Sequence, residues 1–210
     1  MTMKRPIKVN IVLLVVLLFL PFGAGAQQPD RHSLELTWGV SIPTGSHFSE
    51  QSGFTALSLR WEYRIIPQLA IGVSAGFDRH SESGVTNDFF QGDFVTGHSE
   101  RELLQIPLIA HVRYYLVGGR RSLLQPYLGV GGGVQWAQFN LTGDMINTSQ
   151  ADSWGFTVRP EIGTRIYPVR GGRLWLDAQL AFRSAWNRWD AAHIDVLGSF
   201  LPSIGVGVAF

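Results

Sequence analysis

Apolar and polar residues alternate with a period of two along most of the chain. In the first such segment, Leu34, Leu36, Trp38, Val40 and Ile42 alternate with small or polar residues. Successive side chains of a β-strand point to opposite faces, so this alternation predicts a strand with one apolar face. Each predicted strand has about the length that a tilted strand needs to cross a bilayer. The apolar positions of the eight predicted strands lie within 34–42, 57–63, 69–77, 104–114, 128–134, 156–166, 174–182 and 204–210.

The connections between the predicted strands alternate in length and composition. Short turns at one end and long loops at the other are typical of an outer-membrane barrel, whose short turns face the periplasm. We therefore predict an all-β fold, an eight-stranded antiparallel up-and-down transmembrane β-barrel. A further pair of strands within 79–100 would make ten. Short connections with Pro or Gly are predicted at 66–67, 117–122 and 168–173, and longer polar connections at 43–53, 79–100, 137–153 and 187–193.

A soluble barrel or a β-sandwich is the alternative fold. In a soluble barrel the apolar face of each strand points inward and the outer face is wet. Here the second face is rich in Gly, Ala and Ser, with isolated Arg, Glu and Asp. Small residues mixed with opposite charges suit a crowded lumen better than a solvated exterior. The 7 Trp and 5 Tyr also fit the aromatic girdles of a membrane barrel, which is the fold we favour.

The first 26 residues differ in composition from the rest of the chain. Basic residues at positions 4, 5 and 8 precede an apolar run over 11–20, and small residues occupy 24–26. A charged segment, a short apolar segment and small residues at a cleavage site are the three parts of a secretory signal peptide. We expect cleavage after Ala26, which leaves residues 27–210 as the barrel domain.

Composition narrows the possible chemistry. The chain of 210 residues has no Cys, which excludes disulfides, thiol catalysis, Cys-ligated metals and a lipid-modified Cys. Hydrophobic residues make up 45% and charged residues 16%, which argues against disorder. Without residues 1–26, 14 of the 17 basic and all 16 acidic residues remain, a net charge of −2. A net charge of −2 does not indicate the positive surface that binds nucleic acid. No sequence motif indicates a cofactor.

Three segments of the chain resemble known outer-membrane sequences. The last strand resembles the terminal signal that the barrel assembly machinery reads, an aromatic end residue with apolar residues at every second position before it. Segments 105–115 and 125–133 resemble strands of the small porin-like outer-membrane beta-barrel domain family, which is similar in architecture to the OmpA/OmpX type. The resemblance implies export through the periplasm to a Gram-negative outer membrane, contact with lipids and lipopolysaccharide, and no shared catalytic residues. The residues of the terminal signal are Ile204, Val206, Val208 and Phe210.

Charged residues on the polar faces are the main candidate site. Eight strands enclose an interior that side chains can fill, and an unpaired buried charge is very costly. We therefore expect the six Arg and five acids to pair and to plug the lumen. A gated polar path, or a proton-coupled site around His111, is the alternative. The set comprises Glu35, Arg60, Glu62, Arg64, Asp78, His111, Arg113, Arg159, Glu161, Arg165, Asp177 and Arg183.

The predicted long loops are acidic, whereas the short turns carry Arg. The acids are expected either to be solvated or to bind divalent ions shared with lipopolysaccharide phosphates. The aromatic segment 88–95 within the longest loop is expected to be a strand extension or hairpin, or else a binding surface. The acidic loop residues are Glu50, Glu82, Asp88, Asp93, Glu100, Asp144, Asp152 and Asp190.

Ser and His are adjacent at four places, 32–33, 46–47, 80–81 and 98–99. Nucleophilic catalysis requires a hydroxyl, a base and an orienting acid within reach of each other, and adjacency in sequence does not create that geometry. We therefore expect no enzyme. The leading function is a structural or interaction protein that works through its extracellular loops. The alternatives are a gated transporter or channel for small solutes and, less favoured, a lipid A-modifying enzyme.

Overall fold

The chain is described from a computed structural model. The structure describes residues 31–44, 52–90, 93–118, 122–143, 146–188 and 196–210, with backbone alone for 83–90, 93–100, 141–143 and 146–149. The predicted signal peptide and its cleavage site therefore lie outside the described residues. No helix in these ranges is long and apolar enough to cross a membrane.

Eight antiparallel strands form a closed barrel in which each strand pairs with its neighbours in sequence. The first and last strands also pair, with Leu36 opposite Val206 and Trp38 opposite Ile204, and this pairing closes the sheet. The predicted fold and strand number are confirmed. The strands are β1 (His32–Thr44), β2 (Gly53–Ile66), β3 (Leu69–Phe90), β4 (Asp93–Tyr115), β5 (Leu124–Gly143), β6 (Ile146–Ile166), β7 (Leu174–Ala185) and β8 (Leu197–Ala209).

The apolar face of each strand is the outer face. Large side chains such as Val73, Leu108 and Ile162 are 49%, 56% and 55% exposed, whereas the polar residues between the outward positions are buried. A soluble barrel would show the reverse pattern, so the exterior is built to face lipid. The outward-facing apolar side chains form a lipid-facing belt around the barrel. Aromatic residues border this belt at both ends, as interfacial girdles do. Examples are Trp38, Phe77, Trp154 and Trp186 at one end and Tyr63, Tyr114 and Phe210 at the other.

Two of the predicted long loops are instead paired strands. β3 and β4 remain in register from Arg79 opposite Leu104 to Phe90 opposite Asp93. β5 and β6 likewise continue to Gly143 opposite Ile146. The loop predictions for 79–100 and 137–153 are therefore wrong. Hydrophobic alternation ends where the outer face leaves lipid, but backbone pairing needs no apolar face and continues past that point.

These extensions belong to the eight strands and add no ninth or tenth strand among the described residues. Within the segment 88–95, Asp88 pairs with Val95 and Phe90 with Asp93, as the strand-extension interpretation predicts, while residues 91–92 lie outside the described residues. Two of the predicted short connections are found: β2 and β3 are joined through Pro67 and Gln68, and β6 and β7 are joined through 167–173. The predicted connection at 117–122 lies partly outside the described residues. The acids Glu50, Asp144 and Asp190 lie outside the described residues.

Candidate functional site

All twelve predicted lumen residues lie on inward-facing positions of their strands. Eleven of them are buried, and Arg64 is half-buried at the end of the barrel with the short turns. Alternation along the strands places them inside, because each is separated from the next inward residue by one outward residue. β1, β2, β4, β6 and β7 supply most of these side chains, and closure of the sheet brings the strands face to face across the lumen.

Arg113 of β4 is the hub of the central charge cluster. Its Nε lies 2.6 Å from Oε1 of Glu161, and its Nη1 lies 3.0 Å from Oε1 of Glu62. Its Nη2 donates a hydrogen bond of 2.9 Å to Oε1 of Gln179. A planar guanidinium can satisfy several acceptors at once, which a Lys ammonium cannot do in the same geometry. Arg113 thus joins β2, β6 and β7 through the middle of the barrel.

Arg60 and Arg165 extend the same cluster. Arg60 reaches Oε1 of Glu35 at 2.5 Å through Nη1 and Oε2 of Glu161 at 3.2 Å through Nη2. Arg165 Nη2 lies 2.6 Å from Oε2 of Glu62 and 3.0 Å from Oε2 of Glu35. Each of these three carboxylates is shared between at least two Arg. The pairs are fully buried, so removal of one member would leave an uncompensated charge.

Aromatic side chains complete the cluster on the short-turn side. The Arg165 Cζ lies 4.4 Å from the ring centre of Trp175, and the Arg113 Cζ lies 4.2 Å from that of Tyr127. Trp175 Nε1 donates to Oε2 of Glu35 at 3.3 Å, and the Tyr127 hydroxyl donates to Oδ1 of Asp177 at 2.9 Å. The rings therefore stack on the cations while their polar atoms bind the anions.

A second polar layer lies toward the hairpin end. Arg183 pairs with Asp78 and donates a hydrogen bond of 2.7 Å to Oε1 of Gln105. Gln135 donates to the same Gln105 oxygen at 3.1 Å and to Oδ1 of Asn187 at 3.2 Å. This layer links β3, β4, β5 and β7. It is separated from the central cluster by a recess with room for about two water molecules, lined by Arg159, Gln179 and Arg183 among others.

An apolar cap closes the lumen at the hairpin end. Leu103, Phe139 and Leu197 are at most 3% exposed and pack with Ala137 and Ala185. These residues come from four strands, β4, β5, β7 and β8. From the hairpin end to the short-turn end, the interior therefore holds an apolar cap, a polar layer and a charge cluster backed by aromatic rings.

Glycine on neighbouring strands makes space for the large inward side chains. A Cβ added at Gly207 would overlap the Trp175 ring, and one added at Gly163 would overlap the Tyr127 hydroxyl. By contrast, an added Cβ at outward-facing Gly132 would meet nothing closer than 3.6 Å. The alternation of very large and very small inward residues lets eight strands enclose this many guanidinium groups and rings.

The buried charges balance when every carboxyl group is ionised and His is neutral. Five Arg and five carboxylates of the predicted set are buried within the described part of the chain. Arg64, the sixth Arg, lies outside this balance. The buried Arg are Arg60, Arg113, Arg159, Arg165 and Arg183, and the buried acids are Glu35, Glu62, Asp78, Glu161 and Asp177.

Sequence reasoning missed the uncharged members of the network. Gln105, Gln135 and Gln179 accept or donate hydrogen bonds in the lumen, and Tyr115 donates to Oε2 of Glu62 at 3.0 Å. All of them occupy inward positions of the predicted alternation. The alternation of the strands therefore predicts their inward position, but the predicted charge network consists of charged residues alone.

The described Ser/His pairs do not form catalytic pairs. His80 is 1% exposed and faces the lumen, whereas Ser81 is exposed on the opposite face of β3. His32 and Ser33 are likewise split between an exposed and a buried position. Adjacent residues of a strand cannot bring a hydroxyl and an imidazole into mutual hydrogen-bond reach across the sheet. No group of three or more His, Asp and Glu side chains within the described ranges could hold a metal ion.

Comparison with solved structures identifies the fold. Neisserial surface protein A matches with a TM-score of 0.60 at 17% identity, over 85% of this chain and 97% of that chain. Ail of Yersinia pestis, in complex with the heparin analogue sucrose octasulfate, matches with a TM-score of 0.56 at 10% identity, over 87% and 100%. OprG from Pseudomonas aeruginosa matches with a TM-score of 0.50 at 17% identity, over 88% and 98%.

No protein-family model and no curated protein matches the sequence. The architectural part of the predicted resemblance is nevertheless confirmed, and the predicted outer-membrane location agrees with the structural neighbours. At identities this low, the similarity concerns the fold alone. The chain has the closed eight-stranded barrel fold of bacterial outer-membrane proteins.

Proposed function

We propose that this protein is a non-conducting outer-membrane barrel whose extended hairpins form a surface for a binding partner. The observation that carries the proposal is the contrast between the two ends of the strands. The lumen is filled across its section by buried side chains, while β3 to β6 continue as paired hairpins beyond the lipid-facing belt. A filled lumen offers no diffusion path, which leaves the protruding elements as the working surface.

The outer face marks where the hairpins leave the membrane. On β3 it changes from Phe77, an apolar girdle residue, to Arg79, whose side chain is 55% exposed. Arg79 pairs with Glu102 on the adjacent outward face of β4 at 2.5 Å. β3 continues from Arg79 to Phe90, which adds about 35 Å along the strand at roughly 3.3 Å per residue. The hairpin is therefore long enough to stand clear of the membrane surface.

The composition of the β3–β4 hairpin indicates the charge of its partner. Residues 79–102 contain five acids and two Arg, a net charge of −3 with His neutral. Negative potential of this kind attracts cationic partners and repels sulfated polysaccharides. The related fold of Ail has been solved with a heparin analogue, but the acidic hairpin of this chain disfavours such a ligand. We propose a partner with a basic surface.

Deletion of Asp88–Val95 tests this function. The mature chain and the deletion variant would be placed in uncharged phosphatidylcholine nanodiscs and passed over polylysine and heparin surfaces. We expect the intact protein to bind polylysine and not heparin, and the deletion to weaken polylysine binding. Retained heat-modifiable mobility on gels would show that the shortened barrel is still folded.

Two results would overturn the proposal. One is preferential binding to heparin, and the other is polylysine binding that the deletion leaves unchanged. A matched control replaces Arg170 with Gln in the short β6–β7 connection, at the opposite end of the barrel, and should leave polylysine binding unaltered.

Lipopolysaccharide is the proposed neighbour in the outer leaflet. Carboxylates above the belt, such as the exposed Asp152 on the outer face of β6, together with lipopolysaccharide phosphates, supply the oxygen ligands that Ca²⁺ prefers. We expect added Ca²⁺ to raise the thermal stability of the barrel in lipopolysaccharide-containing membranes and a chelator to lower it. A thermal stability that does not change with added Ca²⁺ would argue against divalent ions shared between the barrel and lipopolysaccharide.

A further inference from the structure

At the short-turn end of the lumen, two Arg have no ion-pair partner among the described residues. The five buried Arg and five buried acids balance, which leaves Arg64 of β2 as a half-buried surplus cation. Arg31 lies beside it, just before β1. A cation that is partly withdrawn from water is costly unless an anion compensates it.

Neither guanidinium makes an ion pair within the described part of the chain. The Arg64 Cζ lies 4.4 Å from the ring centre of Tyr115, and Nη2 donates a long hydrogen bond of 3.4 Å to Oε1 of Gln125. Arg31 Nη1 donates to the Tyr63 hydroxyl at 3.3 Å. All three contacts are with neutral groups, so both cations keep N–H donors for an external acceptor.

The two Arg border a recess of about 250 Å³, counting the part that opens to solvent. Its enclosed part has room for about one water molecule, so a larger ligand would dock at the mouth, against the two guanidinium groups. Glu62 lies at the inner side, where Arg165 binds it at 2.6 Å and masks its charge. The recess is lined by Arg31, Arg64, Glu62, Arg165, Tyr167 and Trp175, among others.

The surrounding turns add to this positive potential. Positions 116–123 and 167–173 contain four Arg and no acid. The whole short-turn end, which faces the periplasm in an outer-membrane barrel, therefore attracts anions. The hairpin end has the opposite net charge, so the two ends of the molecule attract ions of opposite sign.

We propose that the recess at the periplasmic mouth binds a phosphate-bearing anion between Arg31 and Arg64. Planar guanidinium groups engage phosphate oxygens with paired hydrogen bonds, and two of them at an open mouth can hold one phosphate group. The anion is either a free phosphate or the phosphate of a phospholipid headgroup in the inner leaflet. This binding is independent of the proposed function of the hairpins.

Calorimetric titration with inorganic phosphate tests the site in the mature chain, folded in an uncharged maltoside detergent. We expect binding to the intact protein that weakens by roughly tenfold or more in Arg64→Gln and in Arg31→Gln. Arg79→Gln is the matched control, since Arg79 is an exposed Arg at the hairpin end, and it should bind phosphate like the intact protein. Arg31 lies outside the strands, so Arg31→Gln keeps the test valid if Arg64→Gln fails to fold.

A second measurement separates the two sources of phosphate. Thermal unfolding would be compared in nanodiscs of phosphatidylcholine alone and of phosphatidylcholine with phosphatidylglycerol. Binding of free phosphate in detergent supports the soluble anion. Stabilisation by phosphatidylglycerol that Arg31→Gln and Arg64→Gln both reduce, and Arg79→Gln does not, supports the headgroup.

Two outcomes would overturn the proposal. The first is an intact protein that neither binds phosphate nor responds to phosphatidylglycerol, or responses that the Arg31 and Arg64 substitutions leave unchanged. The second is phosphate binding that appears only in Asp30→Asn, because the counter-ion would then be the carboxylate that precedes Arg31 in the sequence.

Discussion

A single carboxylate in the centre of this barrel contacts side chains of several strands. Glu35 contacts Arg60, Arg113 and Arg165 and also accepts a hydrogen bond from Trp175, although these residues follow it by 25, 78, 130 and 140 positions. Each contact joins a different strand to β1. A single change at Glu35 therefore acts on the whole cross-section, whereas most surface changes act locally.

Glu35→Gln should destabilise the folded barrel by about 3–5 kcal/mol, because it leaves three buried Arg short of one negative charge. Urea unfolding followed by gel mobility measures the effect. Glu102→Gln is the control, since Glu102 pairs with Arg79 at a partly exposed position on the outer face, where the loss should stay below about 1 kcal/mol. Equal losses in the two variants would contradict the assigned role of Glu35.

Gly207→Ala should cost about 1–3 kcal/mol, because the new methyl group overlaps the Trp175 ring. The ring cannot easily give way, since it is stacked with Arg165 and lies 5.8 Å from the centre of the Tyr167 ring. Gly132→Ala, also in a strand but facing outward, should change stability by less than about 1 kcal/mol. The same unfolding assay compares the two variants. An unchanged stability of Gly207→Ala would show that the lumen is loosely packed around Trp175.

At the scale of the strand, the sequence predicted which residues face inward or outward more accurately than it predicted where each strand ends. Alternation correctly separated inward from outward residues on β3, from Leu69 to Phe77, because lipid contact requires apolar residues there. Past Arg79 the strand leaves lipid and the apolar alternation of its outer face ends, since residues 79–84 are polar or Gly. Backbone hydrogen bonding, which carries no side-chain signature, determines the true end of the strand.

Substitutions along one face of β3 can locate the membrane boundary. Val73→Arg should destabilise the barrel by about 2–4 kcal/mol, because Val73 lies within the lipid-facing belt. Ser81→Arg, on the same face but beyond Arg79, should be close to neutral. Unfolding in nanodiscs measures both changes. Comparable costs at the two positions would place the boundary farther along the hairpin than the change from Phe77 to Arg79 indicates.

At the scale of the whole molecule, the lumen is closed in layers. The apolar cap, the Arg183–Asp78 layer and the central cluster follow one another along the lumen, and each is held by a different kind of interaction. Ions would have to separate several buried charge pairs to pass, and this is very costly in a low-dielectric interior. The layers also join strands that are not neighbours in the sheet.

The intact protein should therefore show no steady single-channel conductance in planar bilayers. Insertion would be checked by recovery of folded, heat-modifiable protein from the same membranes. A control without protein sets the background current. A large and steady conductance would contradict a closed lumen and favour the transporter alternative.

The sequence by itself determined the all-β barrel fold, the face of each strand and the inward position of the charged residues, because period-two alternation is a local property that lipid on one side imposes. Only the tertiary structure decided which charges meet, because contacts such as Arg113 with Glu161 depend on the closure and register of the sheet rather than on sequence spacing. It likewise decided that two predicted loops are paired hairpins and that Arg64 is the surplus cation, since pairing and depth in the barrel depend on positions set by distant strands.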